Sequence, residues 1–286
     1  MKPIDEENEW IDRAIAGDRE ALAALIASVQ DMVFNLSLRM LGTVPDAEDA
    51  TQEILIKVMT NLSAFRRESA LSTWVFRIAA NHLRSYRKGM FAQRPLSLEA
   101  YGEDIASGRE RDVPDMSGGV DHELLSRELK LSCSNVMLQC LDADSRCVYI
   151  LGTMFRLDSR IAAQILQITP EAYRQRLSRV RKRMAAFLAQ YCGLSGTGGC
   201  ACQRRIHYAV ATHRLDPQQL DFSSMEPCRY EEIVDCTEAM EQLDARSQVF
   251  ADFPAYRAPR DVERWVRELI GSPSFAKVVN MGEVSP

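Results

Sequence analysis

The chain has 286 residues, 46% of them hydrophobic and 26% charged, with a formal net charge of −5. That length gives room for two or three small domains and that composition enough apolar surface for their cores, so wholesale disorder is excluded. No apolar run of bilayer length is read, and the acidic start Met1-Lys2-Pro3-Ile4-Asp5-Glu6-Glu7 has no signal-peptide core, so a cytoplasmic chain with reduced cysteines and no membrane partner is expected.

Helical periodicity dominates the first two-thirds, and an all-α fold is predicted. From Trp10 to Leu41 apolar residues recur every three or four positions, broken at Gly17-Asp18, which predicts two helices with Asp18 capping the second. Gly42 to Asp46 breaks the chain, and Ala47, Ala50, Ile54, Val58 and Leu62 then form one stripe opposite Asp49, Gln52, Glu53, Lys57 and Thr60. A polar loop, Ser63–Ser72, leads into a helix from Thr73 to about Lys88, completing an N-terminal helical bundle over residues 1–90. Residues 91–120 are rich in Gly, Pro, Ser and acids and are expected to be a flexible linker. Helical pattern resumes over 121–191, in segments Asp121–Leu141, Ser145–Phe155, Ser159–Leu166 and Pro170–Tyr191, the last opened by Thr169-Pro170. Residues 192–286 form a mainly helical extension that contains cysteines, with patches near Gln203–His213, Tyr230–Leu243 and Pro259–Ile270.

Charge is unevenly spread. Ser69–Leu98 holds no acid but carries Arg77, Arg84, Arg87, Lys88 and Arg94; Ala172–Phe187 likewise carries Arg174, Arg176, Arg179, Arg181, Lys182 and Arg183. Two basic islands in an acidic chain point to two polyanion contacts, with plain solvated helix faces as the alternative.

The first island adjoins Asp46-Ala47-Glu48-Asp49, Gln52-Glu53 and Phe65-Arg66-Arg67-Glu68-Ser69-Ala70-Leu71-Ser72-Thr73-Trp74. An acid-faced helix, a short loop and a basic helix with an aromatic supply what DNA opening needs: a receiver for an unstacked base, a wedge, and cations along the phosphates. From Ile11 to Lys88 the stretch resembles region 2 of extracytoplasmic-function sigma factors, in which this run is close to a signature. The resemblance implies that Asp46, Glu48, Asp49, Gln52 and Glu53 face core RNA polymerase. It implies that the loop from Asn61 to Ser72, with Arg66, Thr73 and Trp74, holds a flipped promoter base, while Arg77, Asn81, Arg84, Arg87 and Lys88 contact the −10 element. Trp74 can equally be a plain core aromatic.

In the second island Ile161, Ala162, Ile165 and Ile168 make a short helix and turn, followed by a helix with the stripe Tyr173, Leu177, Val180, Met184, Phe187 and Leu188. This is a helix-turn-helix layout: Arg174, Gln175, Arg176 and Ser178 reach base edges, and Arg179, Arg181 and Lys182 suit phosphates. The segment is similar to region 4 of the same family, which reads the −35 element, but its turn lacks the usual glycine. The resemblance implies a promoter-directing subunit whose partners are core polymerase, promoter DNA and an anti-sigma factor. The alternative is a helix-turn-helix regulator that never joins polymerase.

Cys192, Cys200 and Cys202 sit among glycines and are candidate ligands of a structural zinc ion, with Cys228, Cys236 or His207 as the fourth; thiol redox sensing and unliganded thiols are the other readings. Cys133, Cys140 and Cys147 recur at core spacing. The extension, acidic from Asp216 to Asp244, is expected to be regulatory, masking the basic recognition helix or binding polymerase. No Walker-type loop, Gly-x-Ser-x-Gly or His-Glu-x-x-His run occurs, so no catalysis and no required cofactor are expected; a thiol or zinc enzyme in the extension is the remaining class.

Overall fold

In the computed structural model, residues 4–86, 88–93, 96–107, 120–195, 198–228, 250, 253–273 and 275 are described. Four helices make the N-terminal bundle: α1 (Ile4–Ile15), α2 (Arg19–Leu41), α3 (Val44–Thr60) and α4 (Leu71–Ser85). Their ends are set by local chemistry. Asp18 caps α2, its Oδ1 accepting the amides of Glu20 (2.9 Å) and Ala21 (3.1 Å). Gly42 closes α2 with φ +88°, a left-handed turn that favours glycine, and Thr43 caps α3. α2 is the axis of the molecule, packed against α1, α3 and α4, and every residue from Met32 to Leu41 is buried. By length and composition α2 could cross a bilayer, which corrects the expectation that no such run exists; 67% of its apolar window is buried inside the protein. A core helix wrapped on all sides reads like a membrane span because both are apolar all round.

Within 91–120, the described residues 91–93 and 98–107 are helical where a flexible linker was expected. They belong to α5 (Met90–Gln93) and α6 (Leu98–Ser107), the latter capped where the amide of Ala100 donates to the Ser97 hydroxyl at 3.1 Å. Leu98 and Ile105 are buried and Tyr101 stacks on Phe187, so a short apolar stripe lies hidden among the glycine and acids.

The second helical segment, expected as region 4 and so labelled below, comprises α7 (Val120–Gln139), α8 (Ala143–Tyr149), α9 (Ser159–Leu166) and α10 (Pro170–Tyr191). The expected helix Ser145–Phe155 is instead α8 followed by a π turn over Ile150–Met154. The turn places Gly152 against Tyr173 and Leu177, where an added Cβ would lie 2.5 Å from the tyrosine hydroxyl. Where the α9–α10 turn lacks its usual glycine, Gln167 takes the left-handed conformation (φ 56°, ψ 43°). Thr169 caps α10 through the amide of Ala172, with Pro170 in the first turn.

In the extension, α11 (Ile206–Ala211) follows a 3₁₀ turn over Cys202–Arg205, and α12 spans Arg260–Gly271. Between them β1 (Pro227–Cys228) pairs antiparallel with β2 (Ala255–Tyr256), with Pro227 opposite Tyr256. Two residues per strand are too few for an alternating pattern, which is why no strand was expected there. The helical patch expected at Tyr230–Leu243 lies outside the described residues. One continuous apolar core runs from α1 through region 4 to α12.

Candidate nucleic-acid and polymerase interface

α3 buries Ala47, Ala50, Ile54 and Val58 against the bundle and turns its acids outward. Asp49 is exposed, and Asp46, Glu48, Gln52 and Glu53 are half-buried. Asp46 accepts the Thr43 hydroxyl at 2.8 Å. Glu53 takes Lys88 Nζ at 2.7 Å and faces His82 Nε2 at 3.3 Å; the lysine hydrogen bond holds its carboxyl below the usual range. Glu48 goes the other way: burial raises it, and the neighbouring carboxylates of Asp261 and Asp49 add to the effect. Burial, with Lys57 beside the ring, pushes His82 down despite the opposing pull of Glu53.

Beyond α3 the chain makes a 3₁₀ turn at Leu62–Ala64 and a loop into α4. Exposed Asn61 ends α3, donating Nδ2 to the Lys57 carbonyl at 2.8 Å. The loop encloses a cavity of about 200 Å³, lined by Ala64, Phe65, Arg66, Glu68, Ser69, Trp74 and Arg77. Trp74 answers to both of its readings: it is 7% exposed and packs on Phe65 with ring centroids 5.3 Å apart, yet it also walls the cavity. Ser72 and Thr73 are half-buried in the first turn of α4; Arg77 is half-buried and Asn81 exposed further along. Arg84 is paired with Asp144 of region 4, and Lys88 is held by Glu53. Arg87 lies outside the described residues.

On α10 the stripe Tyr173, Leu177, Val180, Met184, Phe187 and Leu188 is buried, as expected. Arg174, Gln175, Arg176, Ser178, Arg179 and Lys182 are exposed on the opposite side. Arg174 pairs with Glu171 at 2.9 Å. Arg181 is half-buried, with Nη2 donating to the Gly152 carbonyl at 2.9 Å, so it braces the π turn. Two contributors were not anticipated. Gln164 of α9 completes the cavity wall beside Arg77, and Phe76 of α4 meets Phe155 edge-on at 5.1 Å. Both arise from packing between segments far apart in the chain, and no local pattern announces them.

The thiols are placed as follows. Cys140 and Cys147 are buried and Cys133 is half-buried, with the Tyr101 hydroxyl donating to its sulfur at 3.1 Å. Burial pushes Cys140 up to about 11, and Cys147 and Cys202 each up to about 12. Cys192 and Cys200 are free thiols whose backbones form an isolated parallel β-bridge, Gly193 N donating to the Cys200 carbonyl at 2.9 Å. Cys228 lies in β1, His207 is exposed and Cys236 lies outside the described residues. Among the described residues, no three His, Cys, Asp or Glu side chains are grouped to hold a metal ion.

A helical bundle whose acidic helix, loop cavity and basic helix follow in that order, joined to a helix-turn-helix with an open basic face, defines a two-part promoter-binding protein. Residues 25–89 match the family described as Sigma-70 region 2. The chain is 28% identical over 177 residues to the "ECF RNA polymerase sigma-E factor" of Haemophilus influenzae, covering 60% of this chain and 89% of that protein. It is 27% identical over 192 residues to the "RNA polymerase sigma factor CnrH" of Cupriavidus metallidurans, covering 66% and 97%. Over 65 residues it is 40% identical to the "ECF RNA polymerase sigma factor SigW" of Bacillus subtilis, covering 23% and 35%. Residues 25–89 thus carry a Sigma-70 region 2, and over about two-thirds of its length the chain is similar to extracytoplasmic-function sigma factors.

Proposed function

We propose that this chain docks on core RNA polymerase through the acids of α3, receives a flipped base of the −10 element in the loop cavity beside Trp74, and reads the −35 element with the exposed face of α10. The observation that carries the reading is the joint placement of the exposed Asp49 edge of α3 and the cavity walled by Trp74 and Arg77 on one bundle. Arg176 and Gln175 suit base edges, and Arg179 and Lys182 suit phosphates, each phosphate contact adding roughly 0.9 to the salt slope of binding. The protein acts in the cytoplasm, performs no chemistry itself and requires no cofactor for this role; transcription with and without a zinc chelator tests whether Cys192, Cys200 and Cys202 hold a structural zinc ion. Run-off transcription with core polymerase on genomic fragments tests the promoter role: specific transcripts appear with the chain and fall at least tenfold with Asp49→Lys plus Glu53→Lys. Sequence-specific DNA binding without co-purification of polymerase would instead favour a helix-turn-helix regulator.

A further inference from the structure

We infer that residues 253–271 form a latch, which seats on α2 and holds the chain in a closed state that denies α4 to DNA. The inference rests on the assignment of α4 to DNA made above.

The seat is built. Along one side of α2 lie three polar side chains, Asp31, Asn35 and Arg39, each one helical turn from the next. Each binds the backbone of every second residue of the latch. Asp31 Oδ1 accepts the Ala258 amide at 2.7 Å, and Asn35 both donates to the Tyr256 carbonyl (2.6 Å) and accepts its amide (2.8 Å). Arg39 Nη2 donates to the Pro254 carbonyl at 2.6 Å. Four helical residues rise about 6 Å, and two extended residues advance about 6.6 Å, so the two repeats stay in step over all three contacts. Asn35 thus serves Tyr256 as a neighbouring strand would. α12 follows, burying Val262, Val266 and Ile270 as it packs on α2 and α3. Asn35 and Arg39 are both wholly buried, so the hydrogen bonds they give this segment make the contact specific.

The same seat ties in region 4. Arg39 Nη1 donates to Asn135 Oδ1 at 2.9 Å, Gln139 Nε2 donates to the Arg39 carbonyl at 3.1 Å, and Arg146 caps the Met40 carbonyl. With α7 and α8 fixed there, α9 lies along α4, Gln164 walls the loop cavity and Asp144 holds Arg84. Arg84 is therefore held and the cavity beside Arg77 walled, so part of the side of α4 assigned to the −10 element is covered while the latch is seated.

Two full-length variants test this. Asp31→Ala removes one anchor at the bundle surface, and Val262→Asp with Val266→Asp expels α12; circular dichroism checks that each keeps its helix content. Small-angle scattering is expected to show a larger radius of gyration for both variants than for the parent. A fork DNA with a randomised single-stranded arm is expected to bind them at least fivefold tighter. A folded variant pair with the parent's radius and affinity overturns the latch, and expansion without tighter binding overturns its silencing of α4. If α12 expulsion unfolds the chain, Asp31→Ala alone decides. Pull-down with core polymerase runs alongside: failure of every form to join polymerase counts against the sigma reading, while the radius and fork affinity still judge the latch.

Discussion

α4 and α10 are built to the same plan, each with an apolar stripe on one side and arginines on the other, yet they stand in opposite conditions. α10 buries only its stripe and leaves Arg176, Arg179 and Lys182 in solvent. α4 has its apolar side buried through Trp74, Val75 and Phe76 and part of its polar side engaged as well: α9 lies against it and Arg84 is bound by Asp144, while Asn81 stays exposed. The difference teaches that a basic amphipathic helix in a sequence announces a capacity for DNA, while packing against the rest of the chain decides whether that capacity is available. The free chain should therefore touch duplex DNA through α10 and leave α4 unused until region 4 moves.

The sharpest way to break this contrast is Arg176→Glu with Arg179→Glu. Binding of the free chain to duplex DNA, read by fluorescence anisotropy, should fall about a hundredfold, since Arg176 withdrawn from a base edge weakens recognition by roughly 1–3 kcal/mol and Arg179 withdrawn from a phosphate removes a salt-dependent contact. A fall of less than threefold would show that α10 does not hold duplex DNA in the free chain. Next comes Gly152→Ala, which drives a methyl group to within 2.5 Å of the Tyr173 hydroxyl and 2.6 Å of Leu177. Overpacking of this kind should cost region 4 roughly 1–3 kcal/mol in thermal or urea unfolding. Arg77→Ala probes the other helix. Duplex binding by the free chain should stay within twofold while run-off transcription drops about tenfold, equivalent to about 1.4 kcal/mol; an equal drop in both assays would put α4 against DNA already in the closed state. Asp144→Ala should be milder still, about 0.2–1 kcal/mol, because its pair with Arg84 is partly solvated.

The smallest effect expected is one of pH. His82 has its pKa lowered mainly by burial, so the folded bundle favours the neutral ring. The stability this reflects is fully present above the unfolded histidine value of about 6.5 and is lost as pH falls through the depressed folded value. Unfolding midpoints should decline on that acid limb, and His82→Gln should flatten it; a parent chain with no decline between neutral pH and the carboxylate range would contradict the assignment.

Much of the fold was legible because local chemistry and packing agree. Asp18 and the Thr169-Pro170 pair cap α2 and α10 where the sequence places them, and the stripe Ala47, Ala50, Ile54 and Val58 is buried as its spacing requires. α6 escaped notice because Gly102 interrupts its pattern, and the structure supplies the reason: a Cβ there would lie 2.5 Å from the Tyr191 ring. The acids of α3 and the open face of α10 could be picked out by residue type and period. Gln164, Asp144 and the seat on α2 could not. A glutamine on a helix, or an asparagine and arginine inside an apolar run, acquires meaning only when a distant segment arrives with the matching groups.

The enclosure of α2 on every side from Met32 to Leu41 has a kinetic consequence. A helix with no solvent face cannot simply lose a neighbour, because the vacated wall would present apolar side chains to water at about 25 cal/mol per Å². Opening is then a substitution in which an incoming surface fills the socket as the outgoing one departs. The tempo of transcription start-up would be governed by how readily a newcomer displaces the resident, more than by how tightly the newcomer finally holds.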